Sequence, residues 1–385
     1  MCHRNTKRIL FSAIVLLLVF IGAGPVAAAM YFKPSVRIDE RYDNNPEYES
    51  DAQATAGFVT VISPELGLLN SMRNLNIMGA YKAESYSYQR AEELNYVGQS
   101  LNLSLASELN RDETVTGNWG ITYSEDSLSA AETGIQTQRT KLYSSSLNAA
   151  YKRIMDASTS VNAEFTGDIY EFENQTLVDT ATTEAKITGQ YGLSRDLSAE
   201  IGYALAYFMF DGPNASTNTI SHTLEGGMNY TVMPDIAVSA TLGTAYFVDD
   251  DNAFDWVGSM LASKTFRAAS VTAKYSRELT HSAGLEEGLN DKDAFSLSLM
   301  YQMFSSFSVS VAGSASRYSP IRAGAIDTVS YGGDLRLLYQ PISWMSVGAG
   351  YSRFHQFEDV EDGAKLNREQ AYMTVILHPF EWRLN

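Results

Sequence analysis

Hydrophobic and polar positions alternate along most of the chain. From Leu197 to Phe210, one phase carries Leu197, Ala199, Ile201, Tyr203, Leu205, Tyr207 and Met209. The other carries Ser198, Glu200, Gly202, Ala204, Ala206, Phe208 and Phe210. A period of two that parts an apolar set from a small or polar set predicts a β-strand with unlike faces. Between Ser160 and Tyr170 the apolar phase is Val161, Ala163, Phe165 and Ile169. Near Trp119 it is Val115, Trp119, Ile121 and Tyr123, and further on Phe307, Val309 and Val311, then Val329, Tyr331, Leu335, Leu337 and Tyr339.

Two kinds of connection take turns between these segments. Short, turn-like ones fall at Asn70–Asn74, Asn110–Glu113, Met155–Ser158, Ser194–Asp196, Met233–Asp235, Thr265–Ala268, Ser305–Ser306 and Pro341–Ser343. Longer polar ones fall at Asp43–Gln53, Gln89–Asn95, Ser124–Thr137, Glu171–Asp179, Asp211–Ser216, Asp249–Asn252, His281–Lys292, Ser319–Ala325 and Glu358–Leu366. Together they predict about eighteen strands, with sixteen as the alternative. All short turns then lie at one end and all long loops at the other. Segments of this length suit tilted strands that cross a bilayer. Hydrocarbon offers the backbone no hydrogen-bond partners, so a spanning sheet must close on itself. The expected fold is therefore all-β: a transmembrane, antiparallel, up-and-down β-barrel. Tyrosines near both strand ends agree with two interfacial belts: Tyr151, Tyr191, Tyr230, Tyr301 and Tyr339 with Trp344 at the short turns, Tyr123, Tyr170, Tyr207, Tyr246, Tyr318 and Tyr351 at the long loops. A soluble propeller shares a repeat near forty residues, but its Gly-His and Trp-Asp blade marks are missing here.

The N-terminus breaks the alternation. Arg4, Lys7 and Arg8 precede an uncharged, mostly apolar run from Ile9 to Gly22, then Pro25 and Ala27, Ala28, Ala29. This is the order of a secretory signal, with cleavage expected after Ala29. The domain plan is a signal peptide over 1–29 and one barrel over 30–385. The lone cysteine, Cys2, lies within the signal, so a disulfide framework and a CxxC site are both excluded.

Composition narrows the function classes. The formal charge of −17 disfavours nucleic acid as a partner, since phosphate demands a basic face. Removing the three basic residues of the signal lowers it further. The opening segment YFKPSVRIDERYDNN and the segment VISPELGLL before a short turn resemble Gram-negative outer-membrane β-barrel proteins of the "putative β-barrel porin" family. The resemblance implies an outer-membrane location after export to the periplasm, and outer-membrane lipids and lipopolysaccharide as surroundings. It also implies insertion by the barrel-assembly machinery and a channel for small hydrophilic solutes. Some similar barrels accompany exopolysaccharide or exosortase-linked gene clusters, which implies polysaccharide export as an alternative; a closed structural or adhesive barrel is another.

Catalysis is not expected. His222 follows Ser221, but neighbouring strand residues point to opposite faces, and no HExxH, GxSxG or phosphate loop occurs. No cofactor or metal motif is present. The acidic groups Asp249, Asp250, Asp251 with Asn252, then Glu286 with Glu287, and Glu358, Asp359, Glu361 with Asp362 read as solvated loops or as sites bridged to lipopolysaccharide by divalent ions. The ionisable residues of the polar phase are assigned to the lumen: Lys82, Glu84, Glu164, Asp168, Glu184, Lys186, Glu200, Glu225, Lys274, Glu278, Asp334 and Arg336. There they could set ion selectivity or pair across strands as filling.

Overall fold

The computed structural model describes residues 29–47, 56–125, 139–174, 176–213, 216–248, 253–281, 289–321, 327–358, 365–379 and 382–384. The first nine strands are β1 (Ala29–Asp43), β2 (Gly57–Ser71), β3 (Leu75–Tyr88), β4 (Tyr96–Asn110), β5 (Glu113–Ser124), β6 (Leu142–Ile154), β7 (Thr159–Phe172), β8 (Asp179–Gly192) and β9 (Leu197–Asp211). The rest are β10 (Ser216–Met233), β11 (Ile236–Val248), β12 (Ala253–Thr265), β13 (Ala269–His281), β14 (Leu289–Phe304), β15 (Phe307–Pro320), β16 (Thr328–Ile342), β17 (Met345–Glu358) and β18 (Lys365–Leu377), followed by a three-residue segment, β19 (Trp382–Leu384). Each strand pairs antiparallel with the next, and β1 also pairs with β18 and β19. The result is a closed, up-and-down barrel of eighteen strands, with β19 as the continuation of the last.

Short turns are set by local chemistry. The Asp156 carboxylate accepts the Ser158 and Thr159 amides at 2.8 and 2.9 Å, the self-capping habit of a turn aspartate. These bonds, Ser158 first, hold its carboxyl below the ordinary range. Ser194 Oγ caps the next turn through the Asp196 and Leu197 amides. Prolines sit where the ladder is interrupted, because they have no amide to give. The β2–β3 ladder skips from Ile62↔Ser85 to Glu65↔Lys82 around Pro64. β16 runs on through Pro341 to Ile342, past the turn start expected from the sequence, with the pairing shifting between Tyr339 and Ile342.

Closure has a particular geometry. β1 and β18 pair from Asp43↔Gln370 to Val36↔Leu377, and pairing resumes at Phe32↔Trp382. The last strand spends one more residue than β1 between these two paired stretches, so the register shifts by one across the gap. Trp382 then stacks on Phe32 with centroids 5.9 Å apart. At the loop end, the Arg368 guanidinium grips Asp43 at 2.6 Å, with side chains only 10% and 2% exposed. Gln370 Nε2 and the Asn45 amide donate to the same carboxylate.

The two faces are unlike. Ile201, Leu205, Met209, Leu242, Phe254 and Met373 stand outward and exposed, while Ala204, Ala206, Phe208 and Phe210 turn inward and are buried. Register carries this phase from strand to strand, since directly paired residues share a face. It also revises the expected belts. Tyr170 and Tyr318 lie in the inward phase of Asp168 and Ser316, and Tyr318 is 3% exposed. These two therefore line the interior rather than the lipid boundary. Residues 1–28 of the signal segment, Phe380 and the acidic loop residues other than Glu358 lie outside the described residues.

Two outcomes test this architecture. Ile201→Arg should cost roughly 2–4 kcal/mol in a urea titration of the barrel in liposomes, while Gln190→Arg, on the inner face, should leave the midpoint nearly unchanged. Arg368→Ala leaves the Asp43 carboxylate buried without its cation, so it should destabilise closure by about 3–5 kcal/mol, read as a lower temperature for loss of the compact electrophoretic form.

Candidate functional site: the barrel interior

Antiparallel pairing brings the inward side chains of β7 to β13 onto one curved wall. Glu164 faces Lys186 across β7–β8, and Glu184 faces Ala206 across β8–β9. Glu225 on β10 lies between Gly202 of β9 and Gly243 of β11. These glycines make room for the glutamates. A Cβ on Gly202 would come 3.1 Å from Glu225 Oε1, and one on Gly227 would come 2.8 Å from Glu200 Oε1. A Cβ on Gly243 would collide with the Leu224 carbonyl oxygen itself. Small residues on the inner face thus let long charged ones lie along the wall.

A recess of about 640 Å³ opens along this wall. Its charged lining is Lys152, Glu164, Glu184, Lys186, Glu200, Glu225, Lys274, Arg277 and Glu278, set among Ser, Thr and Gln side chains. Lys186 forms an ion pair with Glu225. Asn148 Nδ2 donates to Glu164 Oε1 at 2.9 Å, and Asn229 Nδ2 to Glu200 Oε2 at 2.9 Å. Lys292 lies 3.5 Å from Glu278. Asp168 lines a second recess of about 490 Å³ with Asn102, Asn118 and Thr166.

The remaining candidates occupy other arcs. Lys82 and Glu84 pair along β3 at 3.2 Å. Asp334 and Arg336 lie 3.9 Å apart on β16, and Arg336 Nε donates to Tyr372 OH at 3.0 Å. All twelve fall in the inward phase when the register is followed around the ring.

A second charged set, not among those twelve, lies on β1. Arg37, Asp39, Arg41 and Asp43 share the inward phase of β1, and Asp39 and Asp43 are almost wholly buried. Arg37 and Arg41 hold Asp39 at 2.8 and 2.7 Å. The signal was visible: four charges of alternating sign at every second position of VRIDERYD. Ser221 faces inward and is buried, whereas His222 faces outward, with Nδ1 2.8 Å from Tyr203 OH and its ring near Tyr246. Among the described residues, no group of three or more His, Cys, Asp or Glu is arranged to hold a metal ion.

A closed sheet with an apolar outside and a charged, polar inside is the plan of a bacterial outer-membrane barrel. Residues 23–208 match the family model described as "Putative beta-barrel porin 2". The match spans just under half of the chain and covers the first strands through most of β9. No curated protein matches the chain. Among solved structures, Pseudomonas aeruginosa OpdO is similar at 10% identity and a TM-score of 0.48, covering 91% of this chain and 98% of that one. Acinetobacter baumannii OccAB4 is similar at 11% identity and a TM-score of 0.46, covering 92% and 98%. The P. aeruginosa ferric enterobactin receptor PfeA, as a double mutant, is similar at 8% identity and a TM-score of 0.47, covering 90% and 80%. Likeness at this level says nothing about cargo.

The glycine–glutamate fit makes its own prediction. Gly243→Val should force β10 and β11 apart and sharply lower the yield of compact, heat-modifiable barrel. Gly226→Val, outward and with its nearest neighbour at 3.9 Å, should fold with normal yield.

Proposed function

We propose that the protein is an outer-membrane channel through which small hydrophilic solutes and ions diffuse passively, with a mild preference for cations. The observation that carries this reading is the polar, recessed inner wall inside a ring whose outer face is apolar. Eighteen strands enclose more width than inward side chains alone can fill. The export order of the N-terminal segment supports delivery across the inner membrane, and the outward apolar phase fits lipid and lipopolysaccharide as surroundings.

The charge preference follows from the distribution of the inward groups. On β7 to β13, Glu164, Asp168, Glu184, Glu200, Glu225, Asp255 and Glu278 outnumber Lys186 and Lys274, and still do when Lys152 and Arg277, which share the recess, are counted. On the opposite arc, Asp39 and Asp43 are each clasped by arginines. The surplus negative potential lies on one side of the interior, where low-dielectric walls focus it.

Purified, refolded barrel in a planar bilayer under a salt gradient should conduct and give a reversal potential on the cation side. Glu184→Gln combined with Glu200→Gln and Glu278→Gln should bring the cation-over-anion permeability ratio to about one. Folded protein that never conducts, or that passes anions preferentially, would defeat the proposal.

A further inference from the structure

On the loop side of the ring, among the described residues, one hydrogen-bond ladder stops while both of its strands continue for four residues or more. β12 and β13 pair from Thr265↔Ser270 only as far as Gly258↔Arg277. β12 nevertheless extends to Ala253 and β13 to His281. Each keeps its other neighbour, with β11–β12 paired to Phe247↔Ala253 and β13–β14 to His281↔Leu289. At 3.2–3.4 Å per residue, the unzipped stretch is roughly 15 Å of wall.

Side-chain phase shows where the freed strands go. Arg277, Leu279, Leu289, Asp291 and Asp293 belong to the outward phase of Tyr275 and Phe295. Leu289 is nonetheless 7% exposed and clusters with Phe208, Phe210 and Phe247, which face inward, and Leu279 packs against the same cluster. Arg277 Nη2 reaches Asp255 Oδ2 at 3.1 Å, and Asp255 shares the inward phase of Val257 and Ala245. Outward-phase side chains can meet the inner surface of β9 to β12 only if their own strands have passed inside it.

We infer that the loop-side ends of β13 and β14 form a flap folded into the mouth of the barrel, latched to the wall by Arg277. The latch is a hub. The guanidinium binds Asp255 on the wall, and Asp291 and Asp293 on the flap at 3.0 and 2.7 Å. It also lies 4.8 Å from the ring centroid of Trp256, in the outward phase of β12, so the latch sits at the open seam itself. Tyr275 OH steadies Asp293 at 2.7 Å. The apolar half of the contact is Leu279 and Leu289 against the inward phenylalanines. The flap narrows the passage beside the acidic wall, and it can swing only by breaking the Arg277–Asp255 bond and exposing those leucines. Its role as a constriction rests on the channel reading; its existence does not.

The test uses a single thiol beneath the flap. In full-length protein carrying Cys2→Ser, Ala206→Cys places a cysteine where the native side chain is 5% exposed, within the apolar cluster. Its reaction with a water-soluble maleimide should be slow in this parent. It should be about tenfold or more faster after Arg277→Ala and after Leu289→Ser, because a covered group reacts through the open population. Heat-modifiable migration checks that each variant is folded. Equal rates in the folded parent and in both folded variants, or a parent that reacts like a free thiol, would overturn the flap. Larger single-channel conductance in both variants supports its role as a constriction; unchanged conductance beside faster labelling overturns that role. A parent with no conductance sinks the channel reading alone, and the labelling rates still decide the flap.

Discussion

The whole structure depends on backbone hydrogen bonds that hydrocarbon cannot supply. A strand in the bilayer has no water to turn to, so each amide and carbonyl must find a neighbouring strand. That condition is met only when β1 joins β18, and the join is itself irregular. It accommodates one extra residue in the last strand and then recovers its pairing at Phe32↔Trp382. The Arg368–Asp43 grip fixes the other end of the same seam. Once the ring is closed, the parity of a single strand determines the face of the residues in the others wherever the ladder is continuous.

That dependence explains what the sequence discloses. The solvent changes from hydrocarbon to an aqueous interior every second residue, so the alternation is imposed on all strands and can be read in each. Turn chemistry, such as Asp156 and Ser194, is local and equally readable. Tyr170 and Tyr318 show a different limit. Their identity suggests an interfacial belt, yet their parity, shared with Asp168 and Ser316, already places them inside. Phase is the stronger signal where the two disagree, because a register slip would invert an entire strand.

The unzipped seam was not legible in this way. Nothing in FDWVGSM or SRELTH marks the end of a ladder. The cause lies in contacts between residues far apart in sequence: Leu289 meeting Phe208, Phe210 and Phe247, and Arg277 meeting Asp255. The only local hint is chemical. Arg277, Asp291 and Asp293 put charge into a phase that elsewhere faces lipid, where a basic side chain is costly. Arg317, Arg353 and Glu369 carry charge in the same phase on strands that stay paired, so charge alone does not mark the seam.

The interior then divides by how its charges are held. Where opposite groups clasp one another, as Arg37 and Arg41 do Asp39, their fields cancel within a few ångströms, and salt screens what remains over about 8–10 Å. Such pairs shape and stiffen the wall. On β7 to β13 the carboxylates exceed the ammonium groups, and amides rather than cations support Glu164 and Glu200. An amide donor steadies a carboxylate without neutralising it, so the net charge of the wall is kept. Gly202, Gly227 and Gly243 belong to the same arrangement, since any larger residue there would crowd Glu200 or Glu225 or force the strands apart. The acidic side of the lumen is thus produced by residues that carry no charge as much as by those that do.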